Sequence, residues 1–157
     1  LALSVPVAGD SRCAATPGLE GTWLVKVVYH YGGLGFPDDH LQYVNHFGRD
    51  GRAVIYLPHN PADKPYAEVR SACAGEWKPR GARTYDVTLY CLWSTSWEGA
   101  PAPPVPDRIR MKVVLDKKGR AWTATPFYYD LWVDDHYEAW DTWGEMDGKR
   151  LGIAPLP

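Results

Sequence analysis

Apolar residues recur at every second position along most of this chain, and helical spacing is nearly absent. Residues 21–31 read GTWLVKVVYHY, which places Trp23, Val25, Val27 and Tyr29 on one face. Residues 108–116 are the cleanest case, with Ile109, Met111, Val113 and Leu115 alternating with Arg108, Arg110, Lys112 and Val114. Further strands are expected over residues 41–47, 52–57, 75–78, 84–93, 121–133 and 136–146, and Asp147-Gly148-Lys149 starts a last short segment. Gly48-Arg49-Asp50-Gly51, Pro79-Arg80-Gly81, Lys117-Lys118-Gly119-Arg120 and Asp134-Asp135 are turn signals between neighbouring strands. Only residues 61–70 suggest a helix, and weakly.

Such a pattern gives eight or nine antiparallel strands joined mostly by hairpins. Strands of this kind must pair their edges or close on themselves. The expected fold class is therefore all-β: a single antiparallel up-and-down β-barrel with little helix, a sandwich being the alternative. Residues 1–20 form an N-terminal arm and 21–157 the barrel domain. Residues 32–40 (GGLGFPDDH) and the proline-rich residues 98–107 (EGAPAPPVPD) interrupt the strands and are expected to cap the barrel ends.

Gly21-Thr22-Trp23 resembles the G-x-W signature of the lipocalin and wider calycin barrels. Phe47-Gly48-Arg49-Asp50-Gly51, Gly75-Glu76-Trp77-Lys78, Gly81-Ala82-Arg83-Thr84-Tyr85 and Gly148-Lys149-Arg150-Leu151 extend the likeness to a bacterial group of small lipocalin-like proteins, over about residues 20–152. The resemblance implies that Trp23 packs across one barrel end beside a basic residue of the last strand, for which Arg150 is the candidate. It further implies binding of small hydrophobic molecules. Some barrels of similar build are natural-product cyclases or isomerases.

Eight Trp and ten Tyr against three Phe suit a cavity wall better than a dry core, because each ring carries a polar tip. Strand parity places Tyr29, Tyr43, Asn45, Trp77, Trp93, Tyr129 and Trp143 inside, and Phe36 in the glycine-rich loop is positioned to gate the pocket. These eight are the expected contacts for a small hydrophobic or aromatic ligand, though the rings can equally fill a small barrel. Asp141, between Trp140 and Trp143, is expected on the inner face, where desolvation raises a carboxyl's pKa and fits it for proton transfer. Asp141 with Tyr43 and Tyr129 would be the catalytic set if the barrel is a cyclase or isomerase. Asp130 and Glu76 fall outward by the same parity. A third reading is a protein-interaction module, and a homodimer is open to the chain.

No cofactor or metal is expected. The five histidines show no H-x-H or H-x-x-x-H spacing, and no C-x-x-C occurs. The net charge of −2 gives no basic field for nucleic acid, and no apolar run is long enough to span a bilayer as a helix. Leu1-Ala2-Leu3-Ser4-Val5-Pro6-Val7-Ala8-Gly9 resembles the tail of a secretory segment, so export (secreted or periplasmic) is expected, with a cytoplasmic location the alternative. Three cysteines allow three single disulfides, or thiols throughout. Cys73 and Cys91 share parity on strands joined through the Pro79-Arg80-Gly81 turn, and Cys13 competes from the arm.

Overall fold

The computed structural model describes residues 18–31, 39–56, 66–97, 100–101 and 103–152. They form strands β1 (Gly21–Tyr31), β2 (Asp39–Phe47), β3 (Arg52–Tyr56), β4 (Tyr66–Arg70), β5 (Cys73–Pro79), β6 (Thr84–Trp97), β7 (Ala100–Pro101), β8 (Val105–Leu115), β9 (Ala121–Val133) and β10 (His136–Arg150). Every pairing is antiparallel. The hydrogen-bonded path runs β1–β2–β3–β5–β6–β8–β9–β10 and returns to β1, closing an eight-stranded up-and-down barrel with no helix among the described residues. Closure removes the free edges that so many strands would otherwise leave exposed.

The turns form where the sequence allows left-handed backbone. Gly51 takes φ 82° in the β2–β3 hairpin, while Gly48 N–H donates to Arg52 O at 2.8 Å. Asp134 and Asp135 both take positive φ (46° and 63°) in the two-residue turn between β9 and β10, a conformation aspartate tolerates. Between β8 and β9 the Asp116 carboxylate accepts from Arg120 N–H and Ala121 N–H at 2.7 and 3.2 Å, and these bonds hold its pKa below the ordinary carboxylate value.

Three sequence expectations are corrected. First, residues 66–70 are strand β4 and not helix; residues 61–65 lie outside the described residues. β4 continues the line of β5 along β6, and Ser71 stitches the break. Its N–H donates to Leu92 O and its hydroxyl accepts from Leu92 N–H, both at 2.9 Å. Second, β10 runs unbroken through Asp147, Gly148 and Lys149 to Arg150, paired to β1 throughout. Its glycines are needed for packing and do not mark a turn. A Cβ on Gly144 would overlap the Phe127 ring, and one on Gly148 the Trp122 ring. Third, the proline-rich stretch contributes β7 and the start of β8. Pro106 is accommodated because β8 pairs there with β6 alone, so its missing N–H breaks no ladder on the β9 side.

The interior is one continuous core in which Trp23, Val25, Val27, Phe47, Ile55, Leu89, Ile109, Leu115, Phe127 and Met146 are fully buried. β9 bulges at Thr125–Pro126, where its register slips against β8 and β10. Inward parity switches there, from Trp122 and Ala124 to Phe127, Tyr129 and Leu131.

Candidate functional site

The barrel end where β1 begins is closed by aromatic rings and one guanidinium. Trp23 is buried, and its indole N–H donates to Leu19 O at 2.9 Å. It meets Trp122 edge-on at 6.3 Å, and Trp122 in turn meets Phe47 at 6.2 Å. Arg150 lies over the Trp23 ring at 4.2 Å, in the position the resemblance implies. Its guanidinium donates to Gly119 O at 2.7 Å, Gly18 O at 2.6 Å and Glu20 O. Gly21 has φ 121°, and a Cβ there would stand 2.8 Å from Arg150 Nη1, so the glycine of the G-x-W pattern makes room for the arginine. Trp77 is half-buried at this end. It donates to Gly48 O at 2.9 Å and packs against Phe47 and Tyr85. Burial raises the Tyr85 pKa, helped by the charge of Glu20.

The middle and upper interior is more polar. Tyr43 O–H donates to Tyr29 Oη at 3.0 Å, and Tyr29 meets Phe127 edge-on at 5.4 Å. Asn45 stands opposite Trp23 and Ile55 in the neighbouring strands, with 0% of its surface exposed. Neither its amide nitrogen nor its oxygen has a hydrogen-bond partner among the described residues. Higher on the wall the Tyr129 hydroxyl donates to the carboxylate of Asp107, which is buried and aligned with Cys91 and Leu131. Cys91 is joined to Cys73 by a disulfide across β5 and β6, with their Cα atoms 4.3 Å apart. Of the open pairings, this is the one the structure contains.

The structure thus brings Tyr29, Tyr43, Asn45 and Tyr129 to the inner face, with Trp93 half-buried against the same core. Trp77 belongs to the opposite end. Trp143 is corrected: it stands on the outer wall, 41% exposed and stacked on His30 at 4.3 Å. The inward set on β10 is Gly144, Met146 and Gly148. With two glycines facing in, that strand offered no apolar alternation from which parity could be read, and its pairing with β9 shifts between Ala139 and Trp143. Phe36 and the side chain of Asp141 lie outside the described residues.

Asp107 is the buried carboxylate that sequence reasoning missed. The signal was present, because Asp107 continues the inward series Ile109, Met111, Val113 and Leu115 by one step. It was hidden by the prolines preceding it. Asp130 does point outward, as parity predicts, yet it is only 1% exposed because Arg108 and Arg110 cover it. Among the described residues no three His, Cys, Asp or Glu side chains converge as metal ligands, and no helix is long and apolar enough to cross a membrane.

Comparison with known proteins finds no match: no protein family, no curated protein and no solved structure matches this chain. The architecture, a closed eight-stranded antiparallel barrel sealed at one end by a G-x-W tryptophan and an arginine, agrees with a calycin-like fold.

Proposed function

We propose that the barrel binds a small, largely apolar molecule in the middle and upper part of its interior, as in the lipocalin-like proteins its sequence resembles. The observation that carries this reading is Asn45. A buried amide without partners costs about 1–3 kcal/mol of desolvation, and an apolar residue at the same place would not incur it. A ligand polar group returns that energy. Tyr43, two residues before it on the same face of β2, and Tyr29, bonded to Tyr43, supply apolar ring area on one side, with Trp93 and Tyr129 farther along the interior. A few polar groups in an apolar wall are the usual composition of a small-molecule site. The Cys73–Cys91 disulfide supports a place for the protein in an oxidising, exported compartment.

The test is titration with Nile red, a neutral flat dye that carries a carbonyl. Saturable quenching of tryptophan fluorescence is expected at roughly micromolar dye. Asn45→Leu should weaken binding about tenfold while leaving the unfolding free energy unchanged or higher. Absence of saturable binding, or unchanged affinity in Asn45→Leu, overturns the reading.

One observation favours a second reading, a cyclase or isomerase in the same pocket: the buried Tyr129–Asp107 pair, a hydroxyl and a carboxylate in contact within an apolar wall. In that reading Asp107 joins Tyr43, Tyr129 and Asp141 as an acid or base. Asp107→Asn would then lower turnover of any substrate found by about 10²–10⁴-fold while leaving binding intact.

A further inference from the structure

The outer wall of β6, β8, β9 and β10 carries a second cluster, independent of the interior. Asp130 is almost wholly buried on this wall and accepts three charge-assisted hydrogen bonds. Arg108 Nε and Arg110 Nε reach one carboxylate oxygen at 2.8 and 2.6 Å, and Arg110 Nη2 reaches the other at 2.8 Å. Two guanidiniums therefore converge on one carboxylate, leaving a net positive charge on a chain that is net negative. Their other N–H groups have no partner among the described residues. Arg108 lies over the Tyr137 ring at 4.3 Å and Arg110 over Tyr128 at 5.8 Å, so rings and carboxylate fix both forks in place.

The forks sit in a field of exposed rings. Of the large apolar side chains exposed among the described residues, Tyr90 (48%), Leu92, Tyr128, Trp132 and Trp143 lie on this wall. Strand register sets some of them in a row: Arg110 is opposite Tyr128, Tyr128 opposite Trp143, and Trp143 opposite His30. That row crosses β8, β9, β10 and β1, roughly 15 Å at the usual strand spacing.

We propose that this wall binds an acidic polysaccharide, the oxyanions of its sugars taken by Arg108 and Arg110 and its rings laid on the exposed tyrosines and tryptophans. Guanidinium forks match carboxylate and sulfate geometry. Tyrosine and tryptophan offer an apolar face for the C–H side of a sugar ring and a polar tip for its hydroxyls. Other occupants fit less well. Nucleic acid, with one charge per about 1.7 Å of duplex, calls for a far more basic surface. A second copy meeting this one wall to wall would bring a second, equally positive arginine cluster into the same interface. An added peptide strand has no free edge to join in the middle of a closed wall.

The experiment measures binding to polygalacturonate, dextran sulfate, neutral dextran and polyglutamate at physiological ionic strength. Wild-type protein should bind polygalacturonate or dextran sulfate saturably, at least about tenfold more tightly than either control; the better of the two identifies carboxylate or sulfate as the anion. Tyr90→Ala, with the unfolding midpoint preserved, and Arg110→Gln, which lowers stability but leaves Arg108 holding Asp130, should each weaken that binding about tenfold at a temperature where both variants are folded. Equal binding to polyglutamate overturns the proposal, since the rings are then unused and an acidic protein segment is the partner. Equal binding to dextran overturns it as well, since the guanidiniums are then unused. So does no binding to either acidic polymer, or unchanged affinity in both variants. Nile red binding in the interior is read separately and does not enter this outcome.

Discussion

The two halves of the barrel interior draw on the same residue types and use them differently. At the lower end Trp23, Phe47, Trp77 and Trp122 pack edge to face, and Arg150 satisfies backbone carbonyls while covering the Trp23 ring. Above that cap Tyr29, Tyr43, Asp107 and Tyr129 put hydroxyls and a carboxylate against aliphatic walls, and the amide of Asn45, opposite Trp23, stands at the boundary. An aromatic cap of the first kind contributes stability and closes the barrel to water. Buried polar groups of the second kind oppose stability unless something answers them. The contrast is one of packing: ring against ring at the lower end, polar group against aliphatic wall above it.

The largest effect should come from the lower end. Trp23→Ala removes a fully buried ring together with its contacts to Trp122 and Arg150, and is expected to destabilise by roughly 3–5 kcal/mol in urea unfolding. A loss below about 1 kcal/mol would break the comparison at its strongest point. The upper half has its own brace in the Cys73–Cys91 disulfide. Its loop spans a sequence separation of 18, for which the chain-entropy argument gives about 3 kcal/mol. Reduction under native conditions should lower stability by about that much while leaving the lower-end ring contacts in place, visible as a retained near-ultraviolet tryptophan signal.

A smaller effect is expected on the outer wall. Asp130→Ala would leave Arg108 and Arg110 without their shared acceptor, at about 1–3 kcal/mol, reduced because Arg110 is half-exposed and can rehydrate. Burial raises the Asp130 pKa, but the hydrogen bonds and charges of Arg110 and Arg108 outweigh it and hold the carboxyl below its ordinary value. A folded-state pKa below the unfolded one stabilises the fold at pH above the unfolded value, near 3.9, and that stability is lost as pH falls through the folded value. Wild type and Asp130→Ala should therefore differ in full at neutral pH and converge in acid. A constant difference down to pH 2 would mean that the ion pairs contribute nothing.

The sequence made most of the barrel legible because period-two alternation and turn residues report the same geometry twice. β1 and β9 have the expected bounds, and the Cys73–Cys91 alternative followed from parity and one turn. It failed where a strand's inward side chains are missing or replaced. Gly144 and Gly148 face in to admit Phe127 and Trp122, so β10 carried no readable inner face and Trp143 was placed on the wrong side. Prolines hid Asp107 for a related reason: they argue against a strand locally, and here the strand forms because one side of β8 is still unpaired. Asp130 was read correctly as outward, but parity does not register burial beneath neighbouring arginines. The inward polar residues Tyr29, Tyr43, Asn45 and Tyr129 could all be placed from parity alone. Whether a polar residue finds a partner inside depends on contacts across the barrel, which one-dimensional spacing does not contain.

The finest test of the comparison is the hydroxyl pair at the upper end. Tyr43 donates to Tyr29 at 3.0 Å, and both rings are buried. If the pair serves the fold alone, Tyr29→Phe and Tyr43→Phe should each lower stability by about 0.5–1.5 kcal/mol, and a double-mutant cycle should show coupling of similar size. If the hydroxyls are held for a ligand, the stability changes in the free protein stay at the low end of that range. Affinity for Nile red then falls in the single variants, with the cycle on binding showing the coupling that the cycle on stability lacks. The second pattern is the expected one, because the neighbouring Asn45 already stands buried without a partner among the described residues. Coupling in stability with no change in binding would assign Tyr29 and Tyr43 to the core, and would move the functional boundary upward toward Asp107 and Tyr129.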